Sequence, residues 1–357
     1  MARGKTYTIL MTCVGGELAT QTILCLRASQ RHQLRVVGVD ASESATGRRF
    51  VDAFFVVPRG SEPTYPDRIV EIVREQRVDL LLPTSDEEAL ALVPHRARLA
   101  DAGCKLACAE TDTVRTLSSK ERTYRWLDDH GVATPKWVLA KTLDEVRAAA
   151  KELIASRGDV VVKPAENRGG RGAIIVRSDV EGTVRHAYTG SRETHASPQA
   201  FIDEILPRYE EFLPAIVMQR LRGVSCDIDL LGWEGRPMRI VPRRRINPVR
   251  PYEGNEILDA PELIALGSRL VEVLNLSWLY DCDAMYDDHG KPFVIEINPR
   301  PSGSVCMPVV AGIPLLDDLI SLARGEAIAE GVHLPAGTVI ASYTGLAAAP
   351  SMRTERK

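Results

Sequence analysis

Along the first third of the chain, apolar positions come in strand-length runs separated by stretches of helical spacing. Thr6 to Met11 makes a short apolar strand that runs into Val14-Gly15-Gly16-Glu17, and Leu18 to Leu26 follows with a helical pattern. Leu34 to Val39 is a second strand ending at Asp40, and Phe54 to Val57 a third, stopped by Pro58. Ile69, Ile72 and Val73 keep helical spacing and lead into the buried-type strand Val78 to Leu82. Strand, glycine turn, helix, strand is the opening of a doubly wound α/β sheet. Gly15-Gly16 lacks the three-glycine spacing of a dinucleotide fingerprint, so these glycines are expected to form a turn or the wall of a substrate pocket. Pro83-Thr84-Ser85-Asp86-Glu87-Glu88 sits at the carboxyl end of a strand, where open α/β sheets bind ligands. The same acids also suit the first turn of a helix.

The pattern changes near residue 115. Ser118-Ser119-Lys120-Glu121 caps a helix carrying Tyr124, Trp126 and Leu127 that stops at Gly131, and Leu143, Val146, Ala150, Leu153 and Ile154 mark another. Beyond them, β-rich runs flank a glycine loop: Asp159 to Lys163 on one side and Ala173 to Val176 on the other. Thr183 to Gln199 is polar and pattern-poor, as expected of a connection or a lid. Ile216 to Leu221, Cys226 to Leu231 and Arg239 to Ile246 alternate as strands, Leu263, Leu266, Leu270 and Leu274 form a core helix, and a last helix begins near Gly312. Expected units are 1–115, 116–205 and 206–345, with a tail at 346–357.

Chemistry concentrates in Asp281 to Arg300. An alternating strand, a turn at Asp288-His289-Gly290 and the return strand Phe293 to Ile297 read as a hairpin. Side chains alternate faces along a strand, so Glu296 and Asn298 share a face that Asp283 on the paired strand can join. Three oxygen donors of this kind suit Mg²⁺, held by few carboxylates together with substrate phosphates. Arg300, two residues beyond Asn298, can reach a phosphoryl oxygen. Gly169, Gly170 and Gly172 let backbone amides approach an anion, with Lys163 as a point charge at the strand end. The loop is not a Walker loop, since it leads into a strand without Gly-Lys-Ser/Thr. Arg243 and Arg245 share one strand face and are candidate clamps for phosphate or carboxylate.

Composition narrows the class. A chain of 357 residues supports two or three lobes, and a net charge of -3 makes no electrostatic case for nucleic acid or membrane partners. Seven scattered cysteines suit reduced thiols and a cytoplasmic setting, and no apolar run approaches a membrane span.

The order of these pieces resembles the ATP-grasp superfamily, in particular the carboxylate-amine ligases related to carbamoyl-phosphate synthetase and biotin carboxylase. The resemblance rests on Leu82-Pro83-Thr84-Ser85-Asp86, the Lys120 to Tyr124 helix, Val162-Lys163-Pro164 with its flap, and above all Ile295-Glu296-Ile297-Asn298-Pro299-Arg300. It implies an ATP-grasp fold behind an N-terminal Rossmann-like domain, with ATP held between two α+β lobes. It further implies Lys120 and Lys163 on the nucleotide, Gln219 and Leu221 facing adenine, and Asp283, Glu296 and Asn298 holding Mg²⁺, with Mn²⁺ as substitute. Arg300, Arg243 and Arg245 would steady the transferred phosphoryl group. Such a hinge commonly carries Glu where Gln219 stands, and the acidic ribose partner is replaced near Ser225-Cys226, with Asp227 and Asp229 close by and Asp229 carried as the candidate. The implied activity is an ADP-forming ligase that joins a small carboxylic acid to an amine, in a chain that resembles homodimeric enzymes. Rival readings are a bicarbonate-activating, carboxyphosphate-forming enzyme and a nucleotide-binding module without turnover. A dehydrogenase lacks its fingerprint.

Overall fold

The structure, a computed structural model, describes residues 6–166, 172–185, 194–247, 250 and 252–343. Gly169 and Gly170 of the glycine flap and the 346–357 tail lie outside the described residues.

The first sheet contains β1 (Tyr7–Met11), β2 (Leu34–Asp40), β3 (Ala53–Val56), β4 (Leu80–Leu82) and β5 (Lys105–Leu106). Its order is β3-β2-β1-β4-β5 and every pairing is parallel, as the βαβ pattern requires. Ile9, Leu10, Val36, Val37, Leu80 and Leu81 are fully buried, the signature of strands covered on both faces. The turn after β1 is held by Asp40, whose carboxylate accepts the Gly15 amide at 2.7 Å and the Ser42 amide at 2.8 Å. A Cβ on Gly15 would lie 2.9 Å from that carboxylate, which explains the glycine.

The second sheet holds β6 (Trp137–Ala140), β7 (Val160–Pro164), β8 (Ile174–Val176), β9 (Thr183–Arg185), β10 (Thr194–Ala196) and β11 (Ala215–Gln219), in the order β6-β11-β7-β8-β10-β9. Two sequence expectations shift here. β11 inserts antiparallel between β6 and β7, so the chain leaves this sheet at Gln219 and not near residue 205. The 183–199 stretch supplies the edge strand β9 and β10 beside it, because strand pairing is made by backbone groups and needs little apolar periodicity near a sheet edge. Residues 186–193 of that stretch lie outside the described residues.

The third sheet is antiparallel throughout, in the order β16-β15-β12-β13-β14-β17. Its strands are β12 (Ser225–Trp233), β13 (Arg236–Arg245), β14 (Gly254–Ile257), β15 (Trp278–Tyr286), β16 (Pro292–Asn298) and β17 (Val339–Ala341). Alternation gives it two unlike faces. Ile228, Leu230 and Ile240 meet the helix Pro261–Val273, while Asp227, Asp229, Asp281 and Asp283 occupy the opposite face. The helix can lie this close because residue 267 is glycine: a Cβ there would sit 2.6 Å from Ile240 Cγ2 and 2.9 Å from Leu230 Cδ2. Gly267→Val is expected to lower stability by about 1–3 kcal/mol through overpacking, read as a shift in the urea unfolding midpoint.

Candidate functional site

The charged face of the third sheet is built by register. Asp281 pairs with Asn298 and Asp283 with Glu296, while Asp229 and Asp227 pair with those same aspartates from the other side. β13 then sets Arg243 opposite Asp227, with Arg245 two residues on. Odd-numbered acids on β12 and β15 therefore form a continuous patch, flanked by arginines on β13 and by Glu296 and Asn298 on β16. Asp227, Asp281 and Asp283 can bring carboxylate oxygens within 4.8 Å of one another.

Such a concentration of buried carboxylates is costly unless cations accompany it. Arg245 donates to Asp227 at 3.0 Å and to Asp283 at 2.7 Å. Arg243, fully buried, donates through Nε to Asp229 at 2.7 Å, through Nη1 to Ser304 at 3.0 Å, and to Asn255. These pairings hold the Arg243 and Arg245 guanidiniums above their ordinary range despite burial. Burial pushes Asp283 well above the usual carboxylate range against the pull of Arg245, and burial with the nearby Asp227 raises Asp281. Oδ1 of Asp281 is buried with no hydrogen-bond partner, while its Oδ2 accepts from Asn298 at 3.1 Å and Arg300 at 3.3 Å. A face still short of positive charge, with an orphaned carboxylate oxygen, fits a divalent cation with a preference for oxygen donors.

The opposing wall supplies two lysines. Lys120 opens the helix Lys120–Asp129, whose N-cap Ser119 accepts the Arg122 amide, and its Nζ lies 3.5 Å from Glu296. Lys163, near the end of β7, donates to the Tyr124 hydroxyl at 3.0 Å, and Tyr124 in turn donates to the Ile295 carbonyl at 2.5 Å. Burial lowers both lysines below their ordinary range, offset in part by Glu296. Burial would raise Glu296, but Lys120, Lys163 and Arg300 outweigh it and keep this carboxylate ionised. Phosphate oxygens entering between these walls would favour the charged form of both lysines.

The linker that joins the second sheet to the third is anchored at both ends. Asp159 accepts from Arg220 at 3.0 Å and Arg222 at 2.8 Å, while the Gly223 amide donates to the Tyr286 carbonyl at 3.1 Å. Gln219 ends β11 and Leu221 is buried within the linker. Gly172 has φ +77, and a Cβ on it would meet Phe212 and Pro164 at 2.8 Å. Its carbonyl accepts from Tyr209 at 2.6 Å, so this end of the flap is fastened to the second lobe.

The sequence-derived set thus divides. Lys120, Lys163, Asp283, Glu296, Asn298, Arg245 and Arg300 converge on one region. Arg243 and Asp229, expected to touch phosphoryl and ribose groups, are fully buried against each other and act one layer deeper, as the counter-charge beneath the site. Asp281, Tyr124 and Asp159 were absent from the expected set, and Asp227 was expected only near the ribose position and not in the acidic patch. The Asp-x-Asp alternation on β12 and β15 was the available signal for Asp227 and Asp281; Asp159 has none, because its partners Arg220 and Arg222 follow β11, 61 and 63 residues further along the chain. Arg243→Ala leaves Asp229 and Asp227 buried beside an empty place and is expected to cost about 3–5 kcal/mol in denaturant unfolding. Combining Asp229→Asn with Arg243→Met is expected to restore much of that loss.

With this geometry in view, similarity to known proteins is informative. Residues 9–107 match the family described as "PylC-like, N-terminal domain", and residues 211–346 match "ATP-grasp in the biosynthetic pathway with Ter operon". A carbamoyl-phosphate synthase from Methanobrevibacter smithii is 24% identical over 306 residues, covering 80% of this chain and 74% of that protein. The large chain of carbamoyl phosphate synthase from Beutenbergia cavernae is 25% identical over 89% of this chain, which spans only 28% of that protein. Among solved structures, the biotin carboxylase domain of 2-oxoglutarate carboxylase from Hydrogenobacter thermophilus superposes with a TM-score of 0.67 at 17% identity, covering 91% of this chain and 71% of that one. N5-carboxyaminoimidazole synthetase from Staphylococcus aureus, complexed with ADP, gives 0.67 at 13% identity over 94% and 81% of the two chains. The chain thus carries a region matching an ATP-grasp family over residues 211–346, which includes the charged sheet face, and a PylC-like N-terminal domain over residues 9–107.

Proposed function

We propose that this protein is an ADP-forming ligase that phosphorylates a substrate carboxylate with ATP and couples it to an amine. One observation carries the reading: Arg300 stands at the junction of the lysine-and-acid cleft with a separate cavity of about 470 Å³ that it helps to line. Its Nε lies 3.2 Å from Asp86 of the first domain and its Nη1 3.3 Å from Asp281 of the charged face. A carboxylate held from the cavity side would therefore meet the phosphoryl group beside this guanidinium.

The reaction asks for positioning and charge neutralisation more than for a protein nucleophile. A carboxylate oxygen attacks the γ-phosphorus and ADP leaves; an amine nitrogen then attacks the acyl carbon, phosphate leaves and the nitrogen loses a proton. Lys120 and Lys163 neutralise phosphate oxygens, and Arg300 and Arg245 balance charge that builds on the transferred group. Asp283, Glu296 and Asn298 would hold Mg²⁺, or Mn²⁺ in its place, whose role is to draw charge from the phosphates. Gln219 and Leu221 would face adenine. Asp229 does not suit the ribose, since Arg243 already occupies its carboxylate. The setting proposed is a homodimer in the cytoplasm, with small molecules as the other partners; among the described residues no helix is long and apolar enough to cross a membrane.

Mg·ATP with an acid and amine panel is expected to yield ADP and phosphate only for a particular acid and amine pair. Glu296→Ala is expected to reduce turnover roughly 100-fold or more. ATP binding without turnover across a broad panel would contradict the ligase reading, and stimulation by bicarbonate alone would replace it with carboxyphosphate formation. Lys163→Met is expected to weaken ATP binding in calorimetry while leaving the fold intact, because the methionine keeps the buried stem and removes only the ammonium.

A further inference from the structure

The two lysines of the cleft are held by chemically unlike partners. Lys120 faces a carboxylate, with its Nζ 3.5 Å from Glu296. Lys163 instead donates to a neutral group, the hydroxyl of Tyr124 at 3.0 Å, and its Nζ stands 5.3 Å from the centre of the same ring. An ammonium carries three donors at the end of a flexible four-carbon stem. A carboxylate partner would cancel its charge, whereas a hydroxyl takes one N–H, fixes the direction of the stem and leaves the charge for an incoming anion.

The second bond of that hydroxyl settles its polarity. Tyr124 Oη donates to the Ile295 carbonyl at 2.5 Å, so its one proton is spent there and it meets Lys163 as an acceptor. Met218 Sδ, at 3.7 Å, is a weak competitor for the proton. The carbonyl is available because the strand register breaks beside it. Asp283 pairs with Glu296 and Ala284 with Val294, which leaves Ile295 as the extra residue of a β-bulge in β16. Since β16 is the edge of its sheet, no further strand pairs with it on the other side. Tyr124 thus joins three parts of the chain: its own helix Lys120–Asp129, β7 through Lys163, and β16 through Ile295. Tyr124 and Lys163 are both buried, so loss of the hydroxyl would leave an ammonium and a carbonyl without this partner where water does not readily replace it.

We propose that Tyr124 is a positioning residue that aims the Lys163 ammonium at the nucleotide phosphates, with the bulge at Ile295 supplying the acceptor that fixes its hydroxyl. Tyr124 acts through Lys163 and touches no reacting atom. The inference rests on the nucleotide-binding part of the ligase reading and is independent of which acid and amine are joined.

Titration calorimetry on the full chain, with a non-hydrolysable ATP analogue and Mg²⁺ or with adenosine, separates positioning from general support. Tyr124→Phe keeps the ring against Trp137, whose centroid lies 5.4 Å away, and removes only the hydroxyl. It is expected to weaken the ATP analogue about tenfold and to leave adenosine, which has no phosphate, within about twofold. In a Lys163→Met background the same substitution is expected to change analogue affinity by less than about twofold, because the group that the hydroxyl positions is gone. Analogue affinity unmoved by Tyr124→Phe, an equal loss for adenosine, or a loss that multiplies with that of Lys163→Met in the double variant would overturn the proposal. The two readings fail separately: wild-type protein that binds neither ligand removes the nucleotide reading itself, whereas wild-type binding of the analogue with an indifferent Tyr124→Phe removes this inference alone.

Discussion

A row of carboxylates buried on one sheet face can persist only if cations are built in beside it, and in this protein Arg243 and Arg245 meet that requirement. Both come from β13, one strand away from the acids of β12, so antiparallel pairing itself delivers the counter-charge. Arg243 is sealed under the surface against Asp229, Asn255 and Ser304, and Ser304 bonds Ser302 at 3.0 Å in the turn just beyond Arg300. The neutralising layer thus also shapes the loop that carries the arginine at the cavity mouth. Its compensation is incomplete: Asp281 and Asp283 remain pushed upward, which is the electrostatic state expected of a face that accepts a divalent cation.

Opposite that face, two lysines are kept from solvent by the second lobe, and burial lowers both. Cations held in this way have been stripped of water before the nucleotide arrives, so their attraction for phosphate is stronger than at an open surface. The lobes that carry the two walls are joined by the short stretch after β11, fastened by Asp159 on one side and Tyr286 on the other. A linker tied at both ends fixes the separation of the walls, and hence the geometry in which a phosphoryl group can be passed.

Much of this was legible in the chain. The alternation of strand and helix gave the parallel sheet, and the period-two pattern from Asp283 to Asn298 placed oxygen donors on one face because strand geometry allows little else. What escaped has a common physical origin. The Asp-x-Asp alternation puts Asp227 and Asp281 on a face with their neighbours, but they join the site only through the pairing of β12 with β15, a long-range register that the alternation does not specify. Arg243 and Arg245 were indistinguishable as alternating arginines, yet the first is fully buried and the second faces the acids of the cleft, because their depth is set by β14 and the 302–304 turn packing over one of them. β11 reads as an ordinary apolar strand, and only its two neighbours assign it to the second sheet. The edge strand β9 and its neighbour β10 form from a polar stretch because backbone hydrogen bonding does not depend on side-chain pattern.

The same considerations separate what the fold contributes from what selects the substrate. The cleft contains chemistry suited to moving a phosphoryl group, whereas the walls of the neighbouring cavity belong largely to loops after β1, β2 and β4 of the N-terminal domain. Arg300 belongs to both. The central claim, that the acid's own oxygen takes the phosphoryl group, is tested most directly by labelling the carboxylate of the acid that drives ADP release with heavy oxygen. The released phosphate would then be read by phosphorus NMR. The account predicts that label appears in phosphate, one atom for each amide formed; unlabelled phosphate accompanying amide formation would contradict it.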